Sequence, residues 1–354
     1  MNPTFDLDKY GIGFKDIQYE AERLIKEGKD AKENKGLFKV RTANQWIEQA
    51  KKNPIPKMLF GELWHDSELC ILFADTNLGK SILAVQIADS ISSGEQISGF
   101  KLEAAKQPVL YFDFELSAKQ FEVRYSVKNE VKKIHDNHYC FDDNFKRIEI
   151  NPDAEIPENS TFEDYLNQSL ERSIVETEAK VLIIDNLTYL KNETEKAKDA
   201  LPLMKHLKAL KSKYGLSILA LAHTPKRDLT KPITRNDLQG SKMLINFVDS
   251  SFALGESHTD KHLRYIKQIK ARNTEIIYDA ENVVVCQIQK PFNFLEFEFV
   301  AFGTEREHLK QFSEKDRESI IERAKDLSQK GLSQRQISTG LGISLGAVNK
   351  YLKT

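Results

Sequence analysis

Cysteine is scarce in this chain: three in 354 residues, Cys70, Cys140 and Cys286, with no C-x-x-C spacing. That excludes a disulfide framework and a zinc-finger ligand set, and it fits a reducing compartment. No apolar run approaches the roughly 20 residues that a membrane span requires. The opening "MNPTFDLDKY" lacks the basic start and apolar core of a signal peptide. The expected location is therefore cytoplasmic, away from any membrane. A surplus of charge is missing too: the formal net charge is −1, so any nucleic-acid surface must be local. No internal repeat is found. What is present is 40% hydrophobic and 30% charged residues, over a length that suits one large core and a small accessory domain.

Residues 1–57 are polar and lysine-rich and read as a helical arm, either solvated or a dedicated binding element. Trp64, in the segment that follows, is expected to pack across the start of the core, with base stacking as the alternative. Continuous apolar runs then recur at 69–73 ("LCILF"), 108–115 ("PVLYFDFE"), 180–185 ("KVLIID") and 216–223 ("LSILALAH"). Such runs suit strands buried on both faces of a parallel sheet. Between them lie helical patterns, one with Leu83, Ile87 and Ile91 on a face before Gly94, another with Leu203, Leu207 and Leu210 before Gly215. The expected fold is α/β: a mostly parallel sheet flanked by helices, spanning 58–304. Beyond residue 250 the runs crowd together with turn residues between them, which predicts an antiparallel hairpin extension.

The stretch "ADTNLGKS" is one letter from a phosphate-binding loop. Ala74 stands where the first glycine belongs, and Asp75, Thr76, Asn77, Leu78, Gly79, Lys80, Ser81 and Ile82 complete the segment. Backbone N–H groups of such a loop hold phosphate oxygens, aided by the positive end of the following helix. Lys80 is expected at the β- and γ-phosphates of ATP, and the Ser81 hydroxyl on Mg²⁺. Alanine is tolerable at the strand exit provided its φ stays negative.

A second carboxylate is needed to hold Mg²⁺, and Asp185 ends "VLIID" in that position. A further carboxylate must orient and deprotonate the attacking water; Glu115 is the candidate, with Asp113 as rival. His223 closes "ILALAH" and is either a hydrogen-bonded structural residue or a phosphate sensor.

Taken in order, "FADTNLGKS", "YFDFELSAKQF", "VLIIDNL" and "ILALAHTPKRD" resemble the RecA-like ATPase core, most of all the RepA-type hexameric helicase group related to DnaB and KaiC. The resemblance covers about residues 58–300. It implies Lys80 and Ser81 at phosphate and metal, Asp185 at metal, Glu115 as catalytic carboxylate, His223 as sensor, and a hexameric homo-oligomer. It extends to "IKQIKARN", where Lys270 and Arg272 match the K-x-R spacing of residues that reach the neighbouring subunit's nucleotide. The alternative for that pair is a solvated hairpin tip.

After His223, "TPKRDLTKPITRNDLQGSK" is too interrupted by proline and glycine for an element. It carries Lys226, Arg227, Lys231, Arg235 and Lys242 and resembles the DNA-binding loop of RecA-like proteins; a mobile exposed loop is the alternative. The tail 313–354 reads as a helix-turn-helix. Ile320, Ile321, Ala324 and Leu327 line its first helix, and Ser333 with Gln336 boxes the second. Gly342 turns the chain, Ser344 caps the third, and Leu345, Val348 and Leu352 face inward. Gly346, Ala347, Asn349 and Lys350 face outward, toward DNA or a protein partner. The expectation is an ATP-driven DNA motor, a RepA-like ring helicase of a bacterial mobile element; the alternative is a non-translocating ATP-dependent DNA-binding switch.

Overall fold

The computed structural model describes residues 38–187, 189, 200–225, 227–238, 241–311, 314–341 and 343–353. The chain divides into two units, Met1–Ile55 and Pro56–Thr354. In the first, the described residues hold helix α1 (Ala43–Ala50), which Thr42 and Gln45 start with a reciprocal capping box. Every residue of α1 is exposed, and the Arg41 guanidinium stands over the Trp46 ring at 5.2 Å. Residues 1–37 of the arm lie outside the described residues.

The second unit opens with a short antiparallel ribbon, β1 (Met58–Phe60) and β2 (Trp64–His65). Trp64 is fully buried, which overturns the base-stacking alternative: no ring face is left for a base. The chain continues through β3 (Leu69–Ala74), α2 (Lys80–Ser93), β4 (Val109–Asp113) and α3 (Ala118–Arg124). A small hairpin, β5 (Val127–Asn129) and β6 (Ile134–Asp136), precedes β7 (Phe145–Ile148), α4 (Phe162–Thr177) and β8 (Val181–Asp185). Then come α5 (Ala200–Tyr214), β9 (Ser217–His223), α6 (Ser241–Phe247), β10 (Ser250–Glu256), β11 (Leu263–Lys270), β12 (Val283–Gln289) and β13 (Glu296–Gly303).

Nine strands form one sheet in the order β13-β12-β11-β10-β3-β9-β8-β4-β7. From β10 to β7 every pairing is parallel, and β11–β13 extend the sheet antiparallel, as the crowded apolar runs predicted. The apolar runs became the central strands because each is covered on both faces. In β3, Leu69, Ile71 and Phe73 enter one core and Cys70, Leu72 and Ala74 the other. Leu83, Ile87 and Ile91 of α2 are buried with Cys70, Leu72 and Ala74; Leu203, Leu207 and Leu210 of α5 with Leu69, Ile71 and Phe73.

The open edge at β13 is partly closed from within. Gln86 of α2 donates from Nε2 to the Phe297 carbonyl at 3.0 Å and accepts from the Phe297 N–H at 2.9 Å. One buried amide thus satisfies both outward-facing main-chain groups of an edge residue.

After β13, α7 (Glu305–His308) leads to three helices, α8 (Glu314–Gln329), α9 (Gln334–Leu341) and α10 (Leu345–Lys353). They close on Ala324, Ile337 and Val348, with Leu327, Tyr351 and Leu352 packed around them. The Ser333–Gln336 box and the Ser344 cap, which accepts from Ala347 N at 3.2 Å, are in place. Leu345 is a correction: at the first position of α10 it is 45% exposed, and Tyr351 fills the inward place instead. Gly342 lies outside the described residues.

Candidate active site

Parallel strands bring their exits to one edge, and four of them deliver polar groups there. Ala74 closes β3, its partner His223 closes β9, Asp185 closes β8, and β4 runs into the turn that carries Glu115. The main chain ties these exits together: Thr224 N–H donates to Ala74 O at 3.1 Å, and Phe114 N–H to Asp185 O at 2.9 Å.

The phosphate loop follows Ala74. Ala74 sits inside β3 with its side chain buried and is not among the residues of positive φ, the condition under which alanine fits there. Gly79 has φ +95°, and a Cβ on it would stand 2.9 Å from Ile288 Cδ1 and 3.0 Å from the Phe297 ring. That glycine has no substitute; the first position does. From Lys80 the loop becomes α2, so the first N–H groups of a helix, which have no intrahelical acceptor, sit at the site.

Lys80 is buried, and its ammonium donates to Ala74 O and Asp75 O, both at 3.0 Å, with His223 Nδ1 at 3.2 Å. Burial lowers its pKa, opposed by the charges of Asp185, Glu115 and Asp75. A lysine ammonium can only donate, so Nδ1 of His223 accepts and the ring proton lies on Nε2.

Asp185 is fully buried. Its Oδ2 accepts from the Tyr111 hydroxyl at 2.7 Å, while Oδ1 is buried with no hydrogen-bond partner among the described residues. Burial pushes its carboxyl up to about 6, against the lowering influence of the Ser81 and Tyr111 hydroxyls. An orphaned buried carboxylate oxygen beside a hydroxyl suits a magnesium nucleotide: Ser81 and Asp185 would hold the ion, directly or through water. Among the described residues no group of three or more His, Cys, Asp or Glu could hold a metal, so phosphate oxygens and water must complete such a shell.

Glu115 lies in the turn between β4 and α3. Its Oε1 accepts from the Asn186 amide and has His223 Nε2 at 3.4 Å. The His223 hydrogen bond is the main influence lowering its pKa, which keeps a half-exposed carboxylate ionised. Asp113, the rival, has a different task. Arg147 Nε donates to its Oδ2 at 2.8 Å, and its Oδ1 accepts from Glu115 N and Leu116 N at 3.2 and 2.9 Å. With both oxygens engaged, Asp113 anchors the turn that presents Glu115, so it cannot serve as the base.

Asn186 was not singled out from the sequence, although it directly follows Asp185 in "VLIIDNL". The peptide bond between the two is cis. Asn186 is buried, with Nδ2 3.1 Å from His223 Nε2; the two donors converge on one Glu115 oxygen.

Lys270 and Arg272 do not join this chain's own site. β10 runs parallel to β3, and Lys270 pairs with Ser251 near the start of β10, so both lie toward the opposite edge. Lys270 Nζ donates to Ile245 O and Val248 O at 2.6 and 2.7 Å, and Arg272 Nη1 meets Asp249 Oδ1 at 3.0 Å.

The loop after His223 is more ordered than expected: a 3₁₀ turn, Arg235–Asp237, starts at a Thr234–Asp237 capping box. Ile233 is gripped at both main-chain groups, its N–H by Glu305 Oε1 at 2.6 Å and its carbonyl by Lys267 Nζ at 2.9 Å. Arg227 is half-buried and bonds back to Lys231 O at 2.9 Å; Lys231 pairs with Asp228 at 3.1 Å, and Arg235 is exposed. Lys226 lies outside the described residues, as does the Lys242 side chain. Asn349 and Lys350 lie exposed on α10. An apolar cavity of about 510 Å³ between Phe114, Ile148 and Leu166 holds none of the groups of the strand-exit site.

Comparison with known proteins agrees with this geometry. The pattern of the AAA domain matches residues 38–228, more than half of the chain and all four strand exits that build the site. Among curated proteins no match is found. The chain belongs to the AAA domain family of P-loop ATPases.

Proposed function

We propose that the protein is an ATP-driven DNA motor of the RepA-like ring class, using ATP and Mg²⁺ in replication or transfer of a bacterial mobile element. The observation that supports this most is the separation of two charge sets across one sheet. Lys80, Ser81, Glu115 and Asp185 lie at the strand exits, Lys270 and Arg272 toward the far edge. A subunit of that design carries both halves of a site that only a neighbouring copy can complete. In this reading Lys80 meets the phosphates, Ser81 and Asp185 hold Mg²⁺, Glu115 deprotonates water, and His223 senses the γ-phosphate. Arg272 leaves Asp249 to stabilise charge on the next subunit's nucleotide, with six copies closing the ring.

The chain is organised as an arm (1–57), an ATPase domain (58–304) and a DNA-binding tail (313–354). Lys226, Arg227, Lys231 and Arg235 follow single-stranded DNA through its phosphates. Helices α8–α10 act as a helix-turn-helix, with Asn349 and Lys350 toward duplex DNA. The test is strand displacement on a forked duplex with ATP and Mg²⁺, beside Lys80→Ala. ATP-dependent displacement that the variant loses is expected. Hydrolysis without displacement at any ring-forming concentration refutes the motor and leaves the non-translocating switch.

A further inference from the structure

The catalytic assignments above leave one group in the middle of the site without a task. Asn186 is buried at 4% exposure, and no metal or phosphate chemistry calls for an amide there. Its Nδ2 hydrogen-bonds Oε1 of Glu115, the same oxygen that His223 Nε2 approaches at 3.4 Å. Oε2 of Glu115 carries no hydrogen bond among the described residues. A carboxylate held at one oxygen by two converging N–H donors has its plane fixed, and the other oxygen is left to take a proton.

Glu115 needs such help more than the other groups of the site. It lies in a turn past the end of β4, and its side chain is 42% exposed. Asp113 and Arg147 fix the backbone of that turn, and they do not reach the carboxylate. Asn186 follows the last residue of β8, whose backbone is tied to the neighbouring strands on both sides. Leu187 N–H continues the tie to Leu221 O at 2.9 Å. The amide is therefore mounted on the rigid sheet, while the carboxylate it grips is mounted on a turn. From the phosphate loop outward the contacts run Lys80, His223, Glu115, Asn186, which joins the lysine to the general base through one imidazole.

We infer that Asn186 is a positioning residue for hydrolysis: its amide aims the Glu115 carboxylate at the attacking water. The inference rests on the ATPase reading and on Glu115 as the base. Misplacing a reacting group by about 1 Å costs on the order of 100-fold in rate. Asn186→Ala is accordingly expected to lower kcat by about 10- to 100-fold. Neither ATP affinity nor the Mg²⁺ concentration for half-saturation should change by more than about twofold, since the Asn186 amide is directed at Glu115 and His223.

The experiment measures single-turnover hydrolysis, ATP binding and Mg²⁺ dependence on the full chain for wild type, Asn186→Ala, Glu115→Gln and the double variant. Because Asn186 acts through Glu115, the double variant should be no slower than Glu115→Gln alone. Asn186→Asp, of the same shape but without the donor, should be at least as slow as the alanine variant, and it carries the test should alanine impair folding. The assignment is overturned by a full kcat in these variants, by a loss that appears in ATP or Mg²⁺ affinity instead, or by an equal further loss on the Glu115→Gln background. A wild-type chain that binds ATP without hydrolysing it overturns the ATPase reading as well, and that outcome is distinct from an active wild type with active Asn186 variants.

Discussion

Removing the Tyr111 hydroxyl should create a metal-binding defect that depends on pH. The phenol donates to Asp185 Oδ2 at 2.7 Å, and both groups are fully buried, so Tyr111→Phe leaves that oxygen with no substitute donor from water. A hydrogen bond to a charged group contributes about 1.5–3 kcal/mol. At about 1.4 kcal/mol per pKa unit, its loss raises the carboxyl by roughly one to two units. Asp185 already stands at about 6 through burial. The variant therefore titrates near 7–8, and at pH 7 its ionised fraction drops from about nine-tenths to between a half and a tenth. In the proposed role of Asp185 only the ionised form holds Mg²⁺, so apparent Mg²⁺ affinity at pH 7 should fall roughly two- to tenfold. The sign follows from the direction of the shift: alkali ionises the group, and near pH 9 the deficit closes. The assay is Mg²⁺ titration of ATP-analogue binding by both proteins between pH 6.5 and 9. A variant-to-wild-type ratio of one at pH 7, or a deficit that does not change with pH, refutes the reasoning.

Gln86→Leu strands the N–H and C=O of Phe297 on a covered edge and should destabilise the fold by about 2–4 kcal/mol in denaturant titration; a change below about 0.5 kcal/mol would mean water reaches that edge. Glu305→Gln leaves the Lys267 ammonium, paired at 2.5 Å and nearly buried, without its counter-charge. A loss of about 3–5 kcal/mol is expected, with part recovered in Lys267→Met/Glu305→Gln, by the same measurement. Arg272→Ala and Glu115→Ala subunits should each lack ATPase activity alone and recover some when mixed, on the proposal that each spoils a different half of a shared site. No recovery in rings proven to be mixed counts against that sharing.

The sequence made the central strands legible because burial on both faces leaves an uninterrupted apolar run, as in "KVLIID" and "LSILALAH". β7 was not legible: "FKRI" is an outer strand, half-exposed, and its composition resembles a loop. Local capping chemistry was readable at Ser333 and Gln336, where the partners are three residues apart. Contacts across the sheet were not. Asp113 and Glu115 are two apart and equally acidic, and only Arg147, reached through a neighbouring strand, separates anchor from candidate base. Asn186 carried one signal, its place after the strand-ending aspartate, but its partner lies 71 residues earlier. Leu345 failed for a simpler reason: helical spacing fixes a direction only once the helix has begun, and Leu345 is its first residue.

Gln86 stands six residues beyond Lys80 on one unbroken helix, a little under two turns. Its amide is bolted to Phe297, and six residues past Phe297 the last strand ends at Gly303, where the chain departs for its C-terminal helices. A tilt of α2 at its loop end therefore cannot be absorbed locally. It must either drag the final strand or break two buried contacts at once, which makes this helix a lever with its fulcrum in the core and its far arm on the exit of the sheet.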